Sequence, residues 1–241
     1  MKSRFFFVLA CLLLFFNSGG IISSAQEPVS TIIKKCDDFK ITGDGSDVAW
    51  NKTEWINLLQ QGSDRKGYET KVKVMYSGSG LYFLFRCNDS KLTTTMTADN
   101  MDLWKEDVCE IFLWTEEKFP VYFEYEISPM NFELPIIVPN YQGSFLGWLP
   151  WHYEGDKRTQ HATRAVGGKK ESGSNVTVWI AEIYIPYKLL QPLPNVPPLS
   201  GTRWRANMYR IDHDSEPIRF VWQPVGKTFH DYEKFGTFVF E

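Results

Sequence analysis

The feature that most constrains this chain is the period of its apolar residues, which is two rather than 3.6. KVKVMYS (71–77) alternates, and LYFLFRCND (81–89) follows after Gly78-Ser79-Gly80, the pattern of a hairpin. DVCEIFLW (107–114) and VYFEYEIS (121–128) are joined by a charged turn. VSTIIKKC (29–36) opens the series, and NVTVWIAEIYIP (175–186), TRWRANMYRI (202–211), IRFVWQP (218–224) and FGTFVFE (235–241) continue it. Helical signals are confined to NKTEWINLLQ (51–60) and PYKLL (186–190). Many short strands between turn signals predict an all-β fold. The expected form is an antiparallel β-sandwich, jelly-roll or immunoglobulin-like, with one or two short helices. Residues 129–170 read as one long irregular loop, and such loops in compact domains usually carry function.

Residues 1–25 read as a secretory signal peptide. Lys2 and Arg4 precede an apolar run over 5–16, shorter than the ~20 residues that span a bilayer, and Ser23-Ser24-Ala25 supply small residues at its end. The expectation is one domain over 26–241, secreted, periplasmic or on the cell surface, with no membrane span. A net charge of −3 without a basic stripe argues against nucleic acid as a partner. Cys36, Cys87 and Cys109 suit no metal cluster. Cys87 and Cys109 read either as a bridge between neighbouring strands or as small buried thiols.

Several residues invite a chemical reading. Glu124 and Glu126 share one face of a strand, with α-carbons roughly 6.6 Å apart at ~3.3 Å per residue. That spacing suits the paired carboxylates of a glycoside hydrolase or lyase, and it equally suits a solvated strand face. No two of the four histidines stand at a close metal-ligand spacing, and there is no GxSxG elbow. IDHDSEP (211–217) clusters acids in a loop, as a calcium site or an exposed acidic turn. Nine tryptophans are many for this length. Trp179 alternates within a strand and Trp50 is placed to seal the N-terminal end, so both read as core. Trp114 alternates with Phe112 and reads as packing. Trp104, Trp148, Trp151 and Trp222 sit in loops or at strand ends beside polar residues. Indole faces with polar neighbours suit pyranose rings, whose C–H groups stack while side-chain amides, carboxylates and guanidinium groups take the hydroxyls. Capping of the core is the competing reading for each.

The ordered set ITGDGSDVAW (41–50), KVKVMYSGSGLYFLFRCND (71–89), LWKEDVCEIFL (103–113), YFEYEISP (122–129), WIAEIYIP (179–186), GTRWRANMYRID (201–212) and FVWQPVGKTFHDYEKFGTFVFE (220–241) resembles carbohydrate-binding module family 9 and its DOMON-like relatives. The resemblance implies a sandwich that binds mono-, oligo- or polysaccharide without cleaving it. It also implies a structural calcium in many members, no required cofactor, and a role beside polysaccharide-degrading enzymes encoded nearby. Carried over by position, Trp104 and Trp222 are the pair expected to clamp a terminal sugar. Glu110 matches the acidic residue of the DxxEIF strand and Asn207 a polar position of the GxxWRANMYR strand. Arg210 and Trp151 complete the expected carbohydrate-binding set. Where members place a sugar-holding arginine, this chain offers Glu124 and Glu126.

Overall fold

The computed structural model describes residues 29–241 apart from Gly67 and Lys227, so the expected signal peptide lies outside the described residues. Fourteen strands are formed among them. In chain order these are β1 (Ser30–Lys35), β2 (Ile56–Gln61), β3 (Thr70–Tyr76), β4 (Gly80–Asn88), β5 (Val108–Trp114), β6 (Val121–Ile127) and β7 (Glu133–Tyr141), followed by β8 (Ser144–Phe145), β9 (Leu149–Pro150), β10 (Gln160–Val166), β11 (Val178–Pro186), β12 (Arg203–Asp212), β13 (Ile218–Val221) and β14 (Gly236–Phe240). One short helix, α1 (Tyr187–Leu190), follows β11. The short helical turn expected in residues 51–60 is the end of a 3-10 turn (Val48–Lys52), and β2 follows it. The expected long loop is corrected: β7 and β10 run through it. β7 hides from a sequence reading behind Pro135 and Pro139, which remove ladder donors and belong at the margin of a sheet.

The strands form two layers. One carries β10-β11-β4-β3; the other carries β14-β12-β5-β6-β7, with β13 alongside β12. All pairings are antiparallel except those of β1 with β14 and β3. β1 pairs with β14 over Ser30–Ile33 and with β3 over Lys34–Lys35. β2 pairs with β3 through Ile56–Leu58 and with β13 through Leu59–Gln61. These two crossing strands join the layers into one hydrogen-bonded system, which removes two of the edges a sandwich otherwise exposes.

Alternation fills the space between the layers. Cys109, Ile111, Leu113, Phe123, Tyr125 and Ile127 meet Val72, Val74, Phe83, Phe85, Trp179 and Ile183. The sulfurs of Cys87 and Cys109 are 3.4 Å apart inside this core as free, buried thiols. On the outer face of the second layer, a separate cluster packs Phe112, Trp114, Tyr122, Leu134, Ile136, Tyr209 and Phe235. β5 and β6 are therefore covered on both faces. Trp50 is buried as expected, and its indole donates to Glu182 Oε1 at 2.8 Å.

Four residues expected at a sugar site have structural positions instead. Trp222 lies in the interlayer core against Phe238, 5.3 Å between ring centroids. It fits because Gly236 opposite has no side chain; a Cβ there would meet the indole at 2.6 Å. Trp151 packs on the core margin and donates from Nε1 to the Leu189 carbonyl. Asn207 is fully buried and acts as a piece of backbone: Nδ2 donates to the Gln223 carbonyl, while Oδ1 accepts from the Met208 and Gln223 amides. It thus fills the gap on β12 between the stretches that pair with β14 and β13.

Arg210 is buried and staples the layers. Its guanidinium donates to the Asn88 carbonyl (2.6 Å) and to Thr70 Oγ1 (3.3 Å) of the opposite layer. It also pairs with Asp89 (2.8 Å) and Asp212 (2.5 Å), all three charged side chains being out of solvent. Deleting one partner of such a group leaves charge buried and uncompensated, at about 3–5 kcal/mol. Arg210→Ala is expected to lower stability by that amount in urea unfolding; a change below about 1 kcal/mol would contradict the staple.

Candidate functional site

On the outer face of the β5–β6–β7 layer lies a cavity of about 360 Å³, within the ~300–1,000 Å³ of small-ligand sites and at their lower end. Its base is set by register. Glu110 of β5 stands directly opposite Glu126 of β6, and Phe112 opposite Glu124, with all four side chains on the face turned away from the interlayer core. Leu134 and Ile136 of β7 continue the base, and Ile211 of β12 and Arg219 of β13 line the other side. The loop after β13 contributes Thr228, Phe229 and His230. The rim is aromatic: Trp104 from the 3-10 turn before β5, Phe145 of β8, and Trp148 between β8 and β9 are 46%, 42% and 39% exposed.

The carboxyls are the unusual part. The expected solvated face for Glu124 and Glu126 is not what forms. Glu110, Glu124 and Glu126 are each almost wholly buried, because β7 and the side chains of Val225, Phe229, Tyr232 and Phe235 pack over this sheet face. Glu110 Oε1, Glu124 Oε2 and Glu126 Oε2 have no hydrogen-bond partner. Burial is the main cause that raises all three acids well above the usual carboxylate range. The neighbouring carboxyl adds to it: Glu126 acts on Glu110, Glu110 on Glu124, and Glu124 on Glu126. Arg219 pulls Glu110 the other way.

His230 closes the cavity from above. Its ring stacks on Phe145, 4.2 Å between centroids, and burial pushes its pKa down to about 4, so it is neutral at physiological pH. Tyr122, whose phenol burial keeps protonated, lies with its hydroxyl hydrogen-bonded to Nδ1 at 2.6 Å. Buried acids held protonated can both donate to and accept from a polar ligand, which a carboxylate cannot do.

Of the residues expected from sequence, Trp104 and Glu110 line this cavity, and Trp148 joins them. Trp222, Asn207, Arg210 and Trp151 do not, and Trp104 therefore has no partner in Trp222. Phe145, Arg219, Phe229 and His230 were not anticipated. The signal for part of the rim was present in SFLGWL (144–149), an apolar run between Gly143 and a further strand where a hairpin tip is ordinarily polar.

A second group of acids sits at the opposite face of β12. Carboxylate oxygens of Asp89, Asp212 and Asp214 lie within 4.8 Å of one another. Arg210 takes one oxygen each of Asp89 and Asp212, Tyr68 and Ser90 donate to Asp214 Oδ2, and Asp214 Oδ1 is buried without a partner. Three carboxylates against one guanidinium leave negative charge over, and an all-oxygen donor set matches the preference of Ca²⁺.

Comparison with known proteins places these features in context. The model of the family described as "Carbohydrate family 9 binding domain-like" matches residues 41–241. No curated protein matches the chain. Among solved structures, a candidate carbohydrate-binding protein from Bacteroides uniformis superposes with a TM-score of 0.70 at 16% identity, covering 89% of this chain and 100% of that one. A carbohydrate-binding module of family 9 from Caldicellulosiruptor kristjanssonii in complex with glucose gives 0.62 at 16% identity, covering 88% and 95%. The same kind of module from that organism, in complex with cellotriose, gives 0.59 at 16% identity, covering 88% and 94%. At these identities the likeness is one of fold.

The buried acids carry a pH signature. A carboxyl raised in the folded protein binds a proton that the unfolded chain releases above about pH 4.3. Stability contributed by such a group therefore falls as pH rises from there. Glu126→Gln is expected to stabilise the protein, by ~0.5–2 kcal/mol at pH 8 and by less at pH 5, in denaturant titrations at the two pH values. Equal effects at both, or destabilisation at pH 8, would contradict the assignment.

Proposed function

The chain belongs to the carbohydrate family 9 binding domain-like family, and on that premise we propose that it binds saccharides in the cavity on the outer face of β5 and β6. Trp104 and Trp148 present indole faces to solvent at its rim, where pyranose C–H groups would stack. Glu110, Glu124 and Glu126 supply the oriented donors and acceptors that ring hydroxyls exchange for water. The observation that carries this reading is the pairing, within one cavity, of exposed indoles with buried carboxyl oxygens that lack partners. Each hydrogen bond returns a net ~0.5–1.5 kcal/mol, so the affinity is modest and its specificity geometric. The expected setting is outside the cytoplasm, after removal of residues 1–25, as an accessory to enzymes that degrade polysaccharide. No helix among the described residues is long and apolar enough to cross a membrane.

Glycoside hydrolysis is the second reading, favoured by one observation: Glu124 and Glu126 face a cavity with raised pKa values, as a general acid requires. Reducing-sugar assays on a polysaccharide panel separate the two. Turnover that disappears in Glu124→Gln would replace the binding reading.

A structural calcium is part of the same proposal. Asp89, Asp212 and Asp214 would hold it, tying the end of β4 to the loop after β12. Calcium at 100 times its Kd adds ~2.7 kcal/mol, or roughly 5–10 °C in Tm for a domain of this size. Chelator-treated protein is expected to gain that much when calcium is restored, and an unchanged Tm would contradict the site.

The main test is binding by calorimetry after a glycan array has identified a ligand. Trp104→Ala and Trp148→Ala should remain folded and each weaken binding about tenfold, equivalent to ~1.4 kcal/mol. Trp222→Ala should instead lose ~3–5 kcal/mol of stability as a core truncation. Unaltered affinity in both rim variants would overturn the stacking site.

A further inference from the structure

The charge balance of the cavity says more about its occupant than its shape does. Among the described residues that line it there are three acids, one guanidinium and a histidine that is neutral at physiological pH. Each acid is more than nine-tenths buried, and each leaves one oxygen without a partner. Glu110 and Glu126 face each other across the strand pair, and Glu124 adjoins Glu126 on the same strand. Neutral hydroxyls need acceptors, and one or two carboxyl or amide groups suffice. Three acids crowded together are a costly way to provide them, since burial and mutual repulsion both oppose ionisation. A cation offsets the mutual repulsion and supplies the countercharge against which a carboxyl can ionise in place.

The walls suit the same kind of ligand. Phe112, Phe145, Trp148, Trp104 and Phe229 surround the acids. Aromatic faces attract cations through the ring quadrupole, most strongly in a desolvated site. The protein already uses this chemistry at the rim, where Lys105 Nζ lies 5.1 Å from the Trp104 ring centroid and Arg219 lies 5.8 Å from that of Phe229.

We infer that the cavity selects a saccharide bearing a free amino group, with the ammonium seated on Glu110, Glu124 and Glu126 inside the aromatic walls. This rests on the carbohydrate-binding reading of the same cavity and narrows it to a substrate class. Glu126 and Glu110 are the specificity-determining residues. An N-acetylated amine has lost its charge and keeps only an amide N–H to offer them.

Three β-1,4-linked trisaccharides that differ at one substituent provide the test: cellotriose with a hydroxyl at C2, fully deacetylated chitotriose with an amine, and its N-acetylated form. Calorimetry at about pH 5 keeps the amine cationic, since the neighbouring ring oxygens lower a sugar amine below the ~7.7–8.0 of a peptide α-amine. The amine form is expected to bind at least about tenfold more tightly than cellotriose, with an advantage that shrinks as salt is added. Glu126→Gln and Glu110→Gln should each bring the ratio of the two affinities towards one; a common ratio in wild type and both variants would overturn the assignment to these acids. Cellotriose or the N-acetylated form binding as tightly as the amine would overturn the inference and leave the carbohydrate reading standing. If none of the three binds, the inference falls, while the carbohydrate reading is decided by the glycan array.

Discussion

The structure depends on the two-sided burial of β5 and β6. Their inward residues make the interlayer core, and their outward residues are covered by a second apolar cluster. At ~25 cal/mol per Å² of apolar surface removed from water, a strand covered on both faces gains about twice what a half-exposed one does. That gain is what can hold Glu110, Glu124 and Glu126 in a dry setting where their carboxyls are raised and partly unpartnered. Rigid strands on a packed base are also the best support for a site that needs fixed geometry. The rim, in contrast, comes from short segments, β8, β9 and the turn bearing Trp104, where exposed aromatics gain little from folding.

Polar side chains in this protein divide into two kinds by whether they are satisfied. Asn207 and Glu182 are buried and well bonded, and Arg210 is held through Nη1 and Nη2 with only its Nε lacking a partner; they do the work of backbone, anchor and staple. Glu182 accepts from the Thr42 and Gly43 amides as well as from Trp50, fixing the segment that closes the first layer. The cavity acids are buried and incompletely bonded. Other buried atoms of the fold also lack partners, such as Trp179 Nε1 and Tyr187 Oη, but these three acids lie together at a single opening. Groups of that kind, placed around a cavity, mark function more securely than does residue type.

The strands were legible in the sequence because a period of two is a strong signal when one or both faces are apolar. The hairpin around Gly78-Ser79-Gly80, the strand ending at Pro186 and the closing FGTFVFE stretch form within a few residues of their expected bounds. β7 was not legible, because two prolines break its pattern and its partner is found through the register of β6. Trp222 was misread for a physical reason: its neighbours Gln223 and Pro224 suggest a rim, but the indole's fate is set by Gly236 across the sheet, a contact that sequence spacing does not reveal. The solvated reading of Glu124 and Glu126 failed likewise, since alternation reports which face a residue takes and not what later covers that face. Trp104 stays at the surface because its short turn leads into β5 without crossing it.

The central claim is that a saccharide sits on the three buried carboxyls, between the indoles of Trp104 and Trp148. A crystal structure of the protein soaked with a ligand that binds in solution tests this most directly. The account predicts a sugar ring within hydrogen-bond distance of Glu110 or Glu126 and in van der Waals contact with at least one of those two indoles. Density for the ligand at another face, with this cavity holding only water, would contradict it.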